Sequence, residues 1–218
     1  MQQSEVFFPT CGPTPRMNRV QVVAYPDRRN GMRSCASDRK LAQVKRVLSY
    51  SRDGEGIESL DTDVVIRLDD DDFDGLSFGL ALALADKRAR FSMEAVSELT
   101  LCATGIINNK GKIGAVDRFP DKVALAITFL PKDSIFVYPQ ANRTDDANGL
   151  DRLAKGGVKL VCAEDLSYLV KLWEQPDRAT NPESNRRWHP WGEFTFGVLV
   201  GVVIPVSIVF AYFTVFGS

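Results

Sequence analysis

The chain has 218 residues, with 27 Lys+Arg against 28 Asp+Glu, a formal net charge of −1 and a single histidine. That length and apolar content suit one globular domain with appendages, and the balanced charge disfavours nucleic acid as the main partner. Four cysteines (Cys11, Cys35, Cys102 and Cys162) without any CxxC pair disfavour a metal site and predict reduced, mostly buried thiols.

Residues 1–18 carry Pro9, Gly12, Pro13 and Pro15 and predict a flexible lead-in, with no signal-peptide pattern. Arg19-Val-Gln-Val-Val-Ala-Tyr25 alternates as a strand does, and a turn follows from Pro26 to Gly31. Asp38 is placed to cap a helix running to about residue 50, with Leu41, Val44, Val47 and Leu48 on one face. Residues 51–59 are charged and glycine-bearing, a loop. A strand over 63–68 then leads through a glycine–serine turn into an apolar helix over about 77–87. Strands over 99–104 and 112–116 are joined by the tight turn Asn108-Asn109-Lys110-Gly111. A helix is predicted from Asp121 to about Leu130, a strand over 134–138, and a polar loop over 142–149 followed by a short helix through Lys155. A strand over 158–162 and an amphipathic helix over 165–173 close the domain. Strands and helices interleave, so the class is α+β or α/β.

The C-terminus has a different character. Residues 175–193 hold three prolines and many polar groups and read as a linker. From Phe194 to Phe216 there are 23 residues without a charge, enough at ~1.5 Å per residue to cross a bilayer core of roughly 30 Å. Pro205 is tolerated as a kink in such a span, and Trp188, Trp191 and Tyr212 sit where aromatic belts lie. Arg178, Arg186 and Arg187 precede the span, which predicts a tail-anchored, single-pass protein with its N-terminal domain in the cytoplasm.

The chemistry concentrates in Asp74-Gly75-Leu76-Ser77-Phe78-Gly79. A serine between glycines, after a strand and before a helix, exposes its hydroxyl beside the free N–H groups of the helix start, where an oxyanion is held. The only histidine, His189, lies far along the chain in a Trp-His-Pro-Trp stretch. A Ser-His-Asp triad is therefore disfavoured, and serine chemistry here needs another base, a lysine above all. The bland reading has Ser77 capping the helix and a solvated lysine. Asp74 either orients the serine turn or is a carboxylate favoured by the helix dipole.

Asp70, Asp72, Asp74 and Gly75 fit four positions of an EF-hand loop, but Ala81 stands where the bidentate glutamate belongs and no helix precedes it. The run Asp69-Asp70-Asp71-Asp72 is read instead as a solvated acidic rim that repels acidic substrates. Gly105 to Lys112 has superficial likeness to a phosphate loop, but Ile113 stands where Ser or Thr should follow the lysine, and the stretch is read as a hairpin.

The order of strand, Asp-Gly-x-Ser-x-Gly, apolar helix and Thr104-Gly105-Ile106-Ile107-Asn108-Asn109-Lys110-Gly111-Lys112-Ile113-Gly114-Ala115-Val116 resembles the proteolytic domain of Lon proteases. Asp121-Lys122-Val123-Ala124-Leu125-Ala126, Ser134-Ile-Phe-Val-Tyr-Pro139 and the segments 157–161 and 166–172 extend the likeness across residues 60–173 of a domain over 19–174. The resemblance implies an α+β domain related to the ribosomal S5 domain-2-like folds. It also implies a catalytic dyad of Ser77 and Lys122, supported by Asp74, Gly75 and Gly79, and no cofactor. Ring assembly by self-association follows from the same resemblance. This chain carries no ATPase module, so processive unfolding would need a separate ATPase partner. Two departures stand out. Phe78 replaces the small residue that follows the family's serine, and either narrows the cleft or turns into the core. Asp117-Arg118-Phe119-Pro120-Asp121 intervene before Lys122, either looping out ahead of the helix, with Pro120 at its first turn, or displacing the lysine.

The leading expectation is thus a membrane-anchored, Lon-like serine peptidase acting on protein or peptide segments. The rival is a catalytically inactive Lon-like scaffold that binds a partner complex at the membrane. A small-molecule kinase-like relative of the same broad fold is third.

Overall fold

A computed structural model describes residues 2–12, 14–25, 33–34, 37–53, 63–70, 72–91, 99–167 and 169. The predicted span at 194–216, its linker and most of the predicted helix at 165–173 lie outside the described residues. Among the described residues no helix is long and apolar enough to cross a membrane.

The fold is a mixed α/β arrangement. Its strands are β1 (Gln2–Thr10), β2 (Arg16–Tyr25), β3 (Arg33–Ser34), β4 (Asp63–Leu68), β5 (Leu101–Ala103), β6 (Ile106–Ile107), β7 (Ile113–Gly114), β8 (Ile135–Pro139) and β9 (Lys159–Ala163). Its helices are α1 (Asp38–Arg52), α2 (Gly79–Phe91), α3 (Phe119–Phe129) and α4 (Ala147–Lys155). Seven strands form one mixed sheet in the order β3-β4-β2-β1-β5-β8-β9. The β1–β2 and β2–β4 pairs are antiparallel, and β1, β5, β8 and β9 run parallel.

The period-2 alternation of the strands sorts side chains onto two faces. Val6, Phe8, Leu101, Ala103, Ile135 and Val137 join a core with residues of α1 and α2. Their neighbours Phe7, Cys102, Phe136 and Tyr138 pack with Phe119, Val123 and Ala126 of α3 and Leu150 and Leu153 of α4. Helices therefore cover both faces. α2 reads as apolar nearly all round (Leu-Ala-Leu-Ala-Leu-Ala) because it is buried along most of its length.

The sequence expectation fails at the N-terminus. Residues 1–18 are not a flexible lead-in, since β1 fills the centre of the sheet and pairs with β2 from Gln2↔Ala24 to Thr10↔Arg16. Ser4, Val6, Phe8 and Thr10 are all buried on one side, a period-2 signal hidden behind the prolines. Pro15 belongs to the hairpin connection between the strands. A second difference lies at 99–116. The hairpin turn at 108–111 joins β6 to β7, whereas β5 leaves that pair to lie between β1 and β8. The predicted capping of α1 also differs, because Ser37 holds the N-cap position and gives no side-chain cap hydrogen bond.

Where α2 passes α1, the buried Asp86 carboxylate receives Arg52 Nε at 3.0 Å and Arg90 Nε at 2.9 Å. Removing one member of a buried ionic group leaves charges uncompensated. Asp86→Ala is expected to lower unfolding stability by about 3–5 kcal/mol, measured by urea denaturation. A loss under about 1 kcal/mol would show the two guanidiniums finding water.

Candidate active site

Ser77 lies in the turn that precedes α2, and Lys122 lies one turn into α3 on the other face of the sheet. The two meet beyond the C-terminal end of β1, and the Lys122 Nζ to Ser77 Oγ distance is 3.2 Å. The same amine donates to the Pro9 carbonyl at 3.1 Å, so the last residues of β1 fix where the lysine head sits. Ends of parallel strands with helices on both faces are where open α/β sheets place ligands. A cleft of about 400 Å³ opens there, lined among others by Thr10, Cys11, Asp72, Asp74, Asp117 and Arg118 around Ser77 and Lys122.

The intervening residues 117–121 do not displace the lysine. Arg118 takes a left-handed conformation (φ 52°), α3 starts at Phe119, and Pro120 occupies its first turn, where no N–H is required. Arg118 donates to Asp121 at 2.7 Å and to the Cys11 carbonyl, stitching the helix start to the β1–β2 turn. Phe119 and Val123 are buried on either side of Lys122, whereas Ala124 is exposed.

Lys122 is only 5% exposed. Burial is the main reason its pKa falls below the ordinary lysine value, and the Arg118 charge pushes the same way. Cys11, Asp117 and Asp121 oppose the shift. The Cys11 thiol shares the cleft, and its own pKa is raised, chiefly by burial.

Phe78, the bulky residue after the serine, is fully buried and turns into the core rather than into the cleft. Its ring packs 5.3 Å from Phe73 and 6.1 Å from Phe8. Gly75 has φ +86°, the left-handed conformation that lets the chain turn toward the serine without a Cβ clash. Asp74 lies on the exposed rim of the cleft. Gly79 opens α2 where a Cβ would stand 3.3 Å from Val47 Cγ2.

Gly105 locks the serine turn in place. Its N–H donates to the Ser77 carbonyl at 2.9 Å, and its carbonyl receives Leu80 N–H at 3.0 Å. A Cβ at position 105 would lie 2.8 Å from Ile113 Cγ2 and 3.0 Å from Leu80 Cδ2. Gly105→Ala should therefore cost about 1–3 kcal/mol of stability, read from the denaturation midpoint, and should displace the helix entry that carries Ser77. An unchanged midpoint would mean that β7 moves aside freely.

Two groups escaped sequence reasoning. The Pro9 carbonyl carries no side-chain signal at all. Buried Asn142, expected in a plain polar loop, accepts Val116 N–H at 2.9 Å and donates to Val116 O at 3.1 Å, fixing the segment that leads to α3. The acidic run is less free than a solvated rim. Arg19 engages Asp69 at 3.1 Å and Arg16 engages Asp70, and Asp72, Asp74 and Asp117 line the cleft.

Fold and cleft together define a mixed α/β domain with a hydrogen-bonded serine–lysine pair at the strand ends. Compared with known proteins, the chain matches no family model and no curated protein.

Proposed function

We propose that this chain is a Lon-like serine peptidase in which Ser77 is the nucleophile and Lys122 its general base. One observation carries the reading: a lysine amine whose pKa is lowered by burial stands 3.2 Å from the hydroxyl of a serine at a helix entry. Neutral Lys122 takes the Oγ proton while Oγ bonds to the scissile carbonyl carbon. The tetrahedral oxyanion is stabilised by the dipole of α2 and by backbone N–H groups beside Ser77 other than those of Gly79 and Leu80, which are bonded to Leu76 O and Gly105 O. The Lys122 ammonium then protonates the leaving amine, and water, deprotonated by the same lysine, releases the acyl group. Asp74, Gly75 and Gly79 shape the turn that presents the hydroxyl.

The acidic rim favours substrates that are not themselves acidic. In this reading its substrates are flexible segments, and folded proteins would need a separate ATPase partner. The uncharged segment 194–216 would anchor the domain to a membrane from the cytoplasmic side, close to membrane-proximal substrates, and self-association into rings belongs to the same reading.

The test is labelling of the detergent-solubilised full chain with a fluorophosphonate and with a peptide boronate. Modification at Ser77 that Ser77→Ala and Lys122→Ala both abolish is the expected result. Failure of both probes, in the assembled oligomer as well, would favour the inactive scaffold.

A further inference from the structure

Lys40 stands in the first turn of α1, far in sequence from the cleft, yet it is only 3% exposed. Its amine donates to the Phe73 carbonyl and lies 3.7 Å from the centre of the Phe73 ring and 5.5 Å from that of Phe78. A buried ammonium is tolerated only where carbonyls and ring faces replace its water, and here they do. These contacts fall on both ends of the segment 73–78, which has neither helix nor strand of its own and carries Ser77. Phe73 also packs edge-on against Phe8 and Phe78, each at 5.3 Å, so the lysine sits on an aromatic cluster rooted in β1.

We propose that Lys40 is a positioning residue for the nucleophile, holding the segment 73–78 so that Ser77 Oγ meets Lys122. This rests on the reading of Ser77 as nucleophile, but its mechanical part is separable from it. Lys40 acts on Ser77 through the Phe73 carbonyl and the paired rings, and so gives α1 a task at the site rather than a merely structural one.

The test combines amide hydrogen exchange and probe labelling on the full chain, with Lys40→Met and Lys40→Arg. Methionine keeps the apolar stem and removes the charge, whereas arginine keeps a cation able to stack on the rings. Lys40→Met is expected to speed exchange at Gly79 and Leu80, whose amides are bonded to Leu76 O and Gly105 O, by at least about tenfold. Exchange in β2 and β4 should stay unchanged, and fluorophosphonate labelling of Ser77 should slow by a similar factor. Lys40→Arg should recover part of both. Unchanged exchange at Gly79 and Leu80, or an equal rise in β2 and β4, overturns the proposal. If the wild type takes no label, the peptidase reading falls and exchange alone decides the role of Lys40. If Lys40→Met does not fold, Phe73→Leu withdraws the nearer ring, and it should raise the same two rates severalfold. No rise there overturns the proposal equally.

Discussion

Ser77→Ala and Lys122→Met are each expected to reduce peptide hydrolysis by about 10⁴-fold or more, and the double variant to be no worse than either alone. A serine hydroxyl is a poor nucleophile at its free pKa, and in the proposed mechanism the Lys122 amine hydrogen-bonded to it removes its proton in the same step that forms the new bond. Groups that act as a unit are lost as a unit, so their effects do not add. Lys122→Arg should be as inactive as Lys122→Met, because a guanidinium stays protonated and offers no base. Both single variants should fold. Ser77 is partly exposed and small, and methionine replaces the lysine stem at similar length while leaving the Pro9 carbonyl and the partly exposed Ser77 hydroxyl short of a donor. Melting temperatures close to wild type, alongside lost turnover, separate loss of chemistry from loss of fold. Full activity in Lys122→Met would remove the lysine from the mechanism and direct attention to another base in the cleft.

Much of this arrangement is legible along the chain, and the part that is not has identifiable physical causes. The strand at 63–68 is plain because three β-branched residues, Val64, Val65 and Ile66, stand together shortly before the acidic turn. Ser77 and Lys122 can be named as a pair before any coordinates, but their separation cannot. Five residues lie between Val116 and Lys122. Only the left-handed turn at Arg118 and the helix start at Phe119 direct Nζ inward. The effect of Phe78 is equally invisible, since one-dimensional pattern does not say whether a ring beside a serine faces cleft or core. The strand at 2–10 is missed for another reason. Prolines at 9, 13 and 15 mark a turn, and their weight obscures the alternation before them. Interactions through backbone carbonyls, such as Pro9 with Lys122 and Phe73 with Lys40, leave no trace in side-chain identity. They arise from topology, which brings α1, β1 and α3 to one end of the sheet.

The pH dependence of hydrolysis follows from the same lysine and is the second large effect. The base is competent only as the neutral amine, so activity should rise about tenfold per pH unit on the acid limb and level off above the Lys122 pKa. Burial, seconded by Arg118, lowers that pKa, so the plateau should begin below the ordinary lysine value of 10.5. Asp117→Asn removes a carboxylate that opposes the shift, so it should move the limb toward lower pH. Asp117 is exposed, so that displacement should shrink as salt is raised. Stability gives an independent measure with a definite sign. Between the folded pKa and 10.5 the unfolded chain binds the proton that the folded chain lacks, so Lys122 makes stability increase with pH across that window. Below the folded pKa both states hold the proton, and the contribution becomes a constant cost. Lys122→Met carries no such proton. Urea denaturation at a series of pH values should therefore show wild type gaining on Lys122→Met as pH rises through the window, with no change in their difference below it. Parallel pH profiles for the two proteins would mean that the amine is solvated and ordinary in solution. The acid limb of hydrolysis would then have to be assigned to another group. A stability window whose lower edge coincides with the midpoint of the kinetic limb would tie both to one proton on Lys122, because no other group is common to the two measurements.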